Sequence, residues 1–78
     1  MKSKTEIGNA LKQLRGKRSL QTAADEIGIT KSALAMYERG ERIPRDEAKV
    51  KIADYYGVSL EELFYYLIEH NKCSMIAT

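Results

Sequence analysis

The sequence predicts an all-α fold of five short helices in one compact domain. Apolar residues recur at three- and four-residue spacings, the period of one helix face, as in Ile7, Ala10, Leu11 and Leu14. The segments are punctuated by Ser or Thr at their starts and Gly at their ends. Those residue types cap helix N-termini by accepting backbone N–H bonds and end helices in a left-handed turn. Seventy-eight residues fit one domain with a small core, and 44% hydrophobic with 31% charged residues argues against disorder.

The N-terminal arm, residues 1–4, reads as loose, with Lys2 and Lys4 as its charges. The first helix spans about residues 5–15. Ser3 or Thr5 caps it, and Ser3 with Glu6 has capping-box spacing. Gly8 inside this helix costs about 1 kcal/mol against Ala, and its missing side chain permits close packing. Arg15-Gly-Lys-Arg18 is a short basic joint, either a phosphate clamp or a solvated loop.

The second helix, 20–27, is capped by Ser19 and turns Ala23, Ala24 and Ile27 to one face. Gly28 supplies the left-handed residue that ends it. Thr30 caps the third helix, 31–39, which puts Ile29, Ala33, Leu34 and Tyr37 inward and Lys31, Ser32, Ala35 and Met36 outward. Gly40 stops it. Two short helices joined through a Gly turn form a helix-turn-helix, whose second helix can enter a DNA major groove. Pro44 drives Ile43 extended, and Ile43 is expected to plug the core.

The fourth helix runs over about 45–55, with Asp46 and Glu47 at the positive end of its dipole. Val50, Ile52 and Ala53 are expected inside, Lys49 and Lys51 outside. Gly57 ends it and Val58 packs behind. Ser59 with Glu62 is a capping box that opens the fifth helix, 60–70. Leu60, Leu63, Phe64, Leu67 and Ile68 form its stripe. The domain is thus 1–70, and the tail 71–78 has little pattern.

Gly28-Ile-Thr-Lys-Ser-Ala-Leu-Ala-Met-Tyr-Glu-Arg-Gly40, followed by Glu-Arg-Ile-Pro44, resembles the Cro/cI-type (XRE family) helix-turn-helix regulators of bacteria and their phages. The similarity continues through Lys51-Ile-Ala-Asp-Tyr-Tyr-Gly57-Val-Ser-Leu-Glu-Glu-Leu-Phe64. The resemblance implies a lambda-repressor-like DNA-binding domain with helices 2 and 3 as the motif. Leu20 stands where the family usually places a Gln, with Gln21 after it, and the link from Leu14 to Ser19 is about two residues short.

Charge distribution agrees with a polyanion partner. The net charge is only +2, yet residues 1–20 hold Lys2, Lys4, Lys12, Arg15, Lys17 and Arg18 against Glu6 alone. The expected base-reading residues are Lys31, which can donate to guanine; Ser32, which can donate or accept; and Ala35 and Met36, which can touch a thymine methyl. Met36 has a second reading as a core filler. Few strong hydrogen-bonding groups are present, so DNA shape is expected to share in specificity. The expected phosphate contacts are Lys17, Arg18, Ser19, Leu20, Gln21, Thr30, Arg39, Arg42 and Arg45; Ser19 and Leu20 would act through free amides at a helix N-terminus. The resemblance also implies that Glu38 pairs with a base on the first helix, Arg15 or Lys12; the other reading is a plain surface acid.

Helix 5 carries more apolar surface than a small monomer needs. Phe64, Tyr65, Leu67 and Ile68 are therefore candidates for a two-fold homodimer interface, against the simpler reading that the last helix only closes the core. No catalytic constellation, P-loop or GxGxxG is present, so no enzyme, cofactor or small-molecule ligand is expected. His70 lacks an established partner, and Cys73 lacks the further ligands a zinc site needs. One Cys allows no internal disulfide, which suits the cytoplasm. No run reaches a membrane span, and the charged start lacks the apolar segment of a signal peptide. The expected partner is double-stranded DNA, bound by a small regulator at a palindromic operator, most simply as a repressor. The rival is an antitoxin-like or adaptor protein acting through its C-terminal helix.

Overall fold

A computed structural model describes residues 1–65 of the chain. Among them lie five α-helices and no strand: α1 (Lys4–Arg15), α2 (Leu20–Ile27), α3 (Lys31–Glu38), α4 (Asp46–Tyr56) and α5 (Leu60–Phe64).

The helix starts follow from local chemistry. The Ser3 hydroxyl accepts from the Glu6 amide while the Glu6 carboxylate accepts from the Ser3 amide, which closes a capping box on α1. Ser59 and Glu62 repeat it on α5. Ser19 and Thr30 cap α2 and α3 by accepting from the amides of Thr22 and Ala33. Between them Gly28 takes φ 95°, ψ 32°, which folds α3 back across α2. At the end of α3, Gly40 has φ 74°. Its amide donates to the Tyr37 carbonyl at 3.2 Å and the Glu41 amide to the Met36 carbonyl at 2.9 Å. These two bonds are a Schellman lock.

The core gathers one stripe from each helix. Ile7, Leu11, Ala23, Ala24, Ile27, Leu34, Ile52, Leu63 and Phe64 are buried together, with Leu14, Leu20, Ile29, Tyr37, Tyr55, Tyr56 and Val58 packed around them. Gly8 marks the closest approach of α1 to α3. A Cβ there would stand 2.5 Å from the Glu38 carbonyl oxygen and 2.8 Å from that of Tyr37.

Several expectations need correction. Lys49 is 8% exposed and Val50 47%, the reverse of the sequence reading. Ile52 and Ala53 fix the phase of α4, and Lys49 shares their face at three- and four-residue spacings. The Lys49 ammonium is satisfied by the Tyr65 hydroxyl at 3.2 Å and lies 5.6 Å and 5.2 Å from the Phe64 and Tyr65 ring centres. Pro44, fully buried, fills the place assigned to Ile43, which is half-buried. Leu60 is 38% exposed on the opening turn of α5.

Helix α5 ends at Phe64 and does not run through Tyr65, whose φ −128°, ψ 158° are extended. The arm is tied there rather than loose. The Lys2 amide donates to the Phe64 carbonyl at 2.9 Å, and the Lys2 ammonium to the Glu62 carbonyl at 2.7 Å. These bonds occupy carbonyls that a helix end leaves free. The expectations for Leu67, Ile68, His70, Cys73 and the tail 71–78 fall outside the described residues.

Candidate nucleic-acid interface

Helix α3 is held from behind and open in front. Leu34 is fully buried and Glu38 is 4% exposed, so one stripe faces the core. The opposite stripe, Lys31, Ser32, Ala35 and Met36, lines a single open concavity with Arg39. Lys31, Ala35 and Arg39 follow at four-residue intervals, and Ser32 with Met36 lie beside them. Met36 is half-exposed and does not belong to the core cluster.

An ion pair ties α3 to α1. The Arg15 Nε donates to Glu38 Oε2 at 2.8 Å and Nη2 to Oε1 at 3.0 Å. Of the two candidate bases on α1, Arg15 is therefore the partner of Glu38, and Lys12 is exposed. The Glu38 carboxylate raises the Arg15 pKa above its ordinary value against a smaller opposing effect of burial. The remaining Nη1 donates to the Arg18 carbonyl at 2.6 Å, which ties the basic joint to the same pair.

The proposed phosphate residues divide into committed and uncommitted groups. Arg18 donates to the Leu14 carbonyl at 3.3 Å and stands 5.4 Å and 5.8 Å from the ring centres of Tyr55 and Tyr56. These tyrosines pack edge to face, 4.9 Å apart. The Tyr55 hydroxyl also bonds Glu26. Gln21 donates to Asp25 Oδ1 at 2.9 Å. Leu20 is half-buried against the core. The hydroxyls of Ser19 and Thr30 are engaged as caps. Arg39 is paired, with Nε 2.9 Å from Glu41 Oε2 and Nη2 3.1 Å from Oε1. That pairing raises the Arg39 pKa and lowers that of Glu41, hydrogen bonding leading in each case. By contrast Lys17, Lys31, Arg42 and Arg45 are exposed, and their side chains make no ion pair or hydrogen bond among the described residues.

The dimer candidates fare differently. Phe64 is fully buried in the core of the single chain, so its ring offers no surface to a partner. Tyr65 is 37% exposed and holds Lys49. Sequence reasoning did not foresee that Glu41, just past the Gly40 turn, pairs with Arg39 beside the concavity.

Among the described residues no group of His, Cys, Asp and Glu side chains could hold a metal ion. None of the helices there is long and apolar enough to cross a membrane.

A family model described as Helix-turn-helix matches residues 11–63. The cryptic phage CTXphi transcriptional repressor RstR of Vibrio cholerae serotype O1 is 40% identical over 63 residues, covering 81% of this chain and 54% of that protein. The HTH-type transcriptional regulator AnsR of Bacillus subtilis is 46% identical over 55 residues, covering 68% of this chain and 47% of that one. The chain thus spans about half the length of the curated relatives it matches. No solved structure matches significantly.

Proposed function

The chain belongs to the helix-turn-helix family, and from that premise we propose that it is a transcriptional regulator that reads duplex DNA with α3. The observation that carries the reading is the open α3 stripe of Lys31, Ser32, Ala35 and Met36 on one concavity. Uncommitted cations lie in the loops before α2 and after α3, namely Lys17, Arg42 and Arg45. Base edges would be met by the N-terminal half of α3, with Lys31 donating to guanine and Ala35 and Met36 against thymine methyls. Arg42, Arg45 and Lys17 would hold phosphates and fix register without reading sequence. Arg18, Gln21, Ser19 and Thr30 would have to change partners or act through backbone amides. Leu20, with no polar side-chain group, would contribute its backbone amide alone, at the positive end of α2.

Two relatives bear the words repressor and regulator in their names. That supports repression by occupying an operator, in the cytoplasm, without catalysis. A two-fold dimer on a palindromic site fits this mode of reading. With Phe64 in the core, the dimer contact falls to Tyr65 and the chain beyond it, Leu67 and Ile68 included.

The test is selection from a random duplex library, then titration of the winner and a scrambled duplex across salt. A palindromic winner bound about 10³-fold tighter than scrambled DNA is expected. Weak binding without enrichment, vanishing as salt rises, would leave phosphate attraction alone and turn attention to a protein partner. Two variants separate the roles. Lys31→Ala should cost about 1–3 kcal/mol on the winner and relax preference at one base position; equal losses on winner and scrambled duplex would refute its reading role. Arg42→Ala should weaken binding alike on all sequences and lower the salt slope by about one; titration of both duplexes across salt checks it.

A further inference from the structure

We propose that Glu41 sets the phosphate affinity of the interface by masking Arg39, an inference that rests on the duplex-DNA reading above. Arg39 is the cation at the C-terminal rim of the reading concavity. Glu41 grips its guanidinium by one edge through two bonds, 2.9 Å and 3.1 Å. The grip is built into the backbone. The Gly40 turn and the bond from the Glu41 amide to the Met36 carbonyl fold residue 41 back against the end of α3. Its carboxylate is thereby delivered to Arg39 rather than to Arg42, which keeps no partner among the described residues.

The electrostatic consequence follows from where the pair sits. Its side chains are 56% and 53% exposed, so water competes and the pair itself is weak. A weak pair still cancels charge. A phosphate contact gains affinity by releasing a counterion, and that release needs a net positive partner. Arg39 with Glu41 attached presents none. A phosphate oxygen that takes Arg39 must also strand Glu41 beside the DNA backbone. The wild-type interface therefore binds as though it had one cation fewer than its sequence shows. Since guanidinium–phosphate contacts carry no sequence information, the attenuation applies to every duplex.

Glu41→Gln keeps size and polarity and removes the charge. The experiment measures binding of the full chain to a scrambled duplex across salt, for the wild type, Glu41→Gln, Arg39→Ala and the double variant. Thermal melting of each variant confirms folding, with Glu41→Ser as the second choice should Glu41→Gln melt early. Glu41→Gln is expected to bind about five- to tenfold tighter at about 0.1 M salt, with a salt slope steeper by about 0.9. Arg39→Ala strips Glu41 of its counter-charge and should bind more weakly than wild type, whereas the double variant, with neither charge, should stay within about twofold of wild type. In the Arg39→Ala background, Glu41→Gln should gain clearly less than in wild type, because it relieves repulsion but frees no guanidinium for phosphate. An equal gain in both backgrounds would overturn the proposal in favour of diffuse repulsion. Weaker binding by Glu41→Gln would overturn it in favour of Glu41 orienting Arg39 toward the DNA. Unchanged binding by Glu41→Gln, with a wild type that binds, would remove the masking alone. A wild type that binds no duplex at low salt would remove the DNA reading and this inference together.

Discussion

Gly8→Ala is expected to lower the melting temperature by more than about 12 °C, a loss of about 3 kcal/mol. The direction runs against helix propensity. Alanine in a helix interior is favoured over glycine by about 1 kcal/mol, and on propensity alone the variant would be more stable. Packing overrides it. The new methyl would stand 2.5 Å from the Glu38 carbonyl oxygen, 2.8 Å from that of Tyr37 and 3.0 Å from the Glu38 carbonyl carbon. All three are backbone atoms, so no side-chain rotation relieves the clash. They also lie in the last turn of α3, which the Gly40 turn locks. The remaining relief is to move α1 away from α3, and that opens the contacts of Ile7, Leu11 and Leu34 in the core. Melting followed by circular dichroism checks this, with Asn9→Ala on the exposed side of the same helix as control. A Gly8→Ala protein that melts at or above wild type would show that α1 and α3 adjust without cost.

Legibility in the sequence divided along the range of the interaction. The caps at Ser3, Ser19, Thr30 and Ser59 were legible, because a capping bond is decided within three residues. The end of α2 at Gly28 was legible for the same reason. Family membership was legible from the Gly28–Pro44 motif and the Gly57–Phe64 stretch, and residues 11–63 match the family model. The inside of α4 was not. Hydrophobicity put Val50 in and Lys49 out, whereas tertiary contacts set the helix phase. The rings of Phe64 and Tyr65 give the Lys49 ammonium a place that an aliphatic chain cannot use as well. The span of α5 was overread because the apolar stripe continues past Phe64, while Lys2 satisfies the helix end from the far end of the chain. Gly8 announced a close approach but could not name its neighbour. Arg39 was legible as an exposed cation at the end of α3, and its pairing with Glu41 was not. Residues two apart do not meet along a regular helix, and only the reversal at Gly40 brings them together.

The second large effect is expected from Arg15→Met, at about 3 kcal/mol. Methionine keeps most of the aliphatic stem and removes only the guanidinium. The loss therefore reports what happens to Glu38, whose side chain is 4% exposed against 21% for Arg15. Glu38 then keeps its burial and loses both bonds, and a stranded buried charge is costly where a whole pair need not be. The reverse change, Glu38→Leu, should cost less, about 1–2 kcal/mol. Arg15 can turn toward water and retains its bond to the Arg18 carbonyl. Joining both changes removes the charge and its partner together. The double variant should then be more stable than Arg15→Met alone, with a coupling of about 2 kcal/mol by chemical denaturation. Coupling below about 0.5 kcal/mol would place the pair among solvent-screened surface bridges. The pair would then not be what fixes α3 on α1. A large coupling has a consequence for DNA. The carboxylate at Glu38 and the side chains proposed to read bases, Lys31 and Ala35, share one rigid helix of eight residues. Any rotation of α3 that relieves a stranded Glu38 carries the reading stripe with it. Arg15→Met should therefore lose more affinity for the selected duplex than for scrambled DNA, even under conditions where it remains folded.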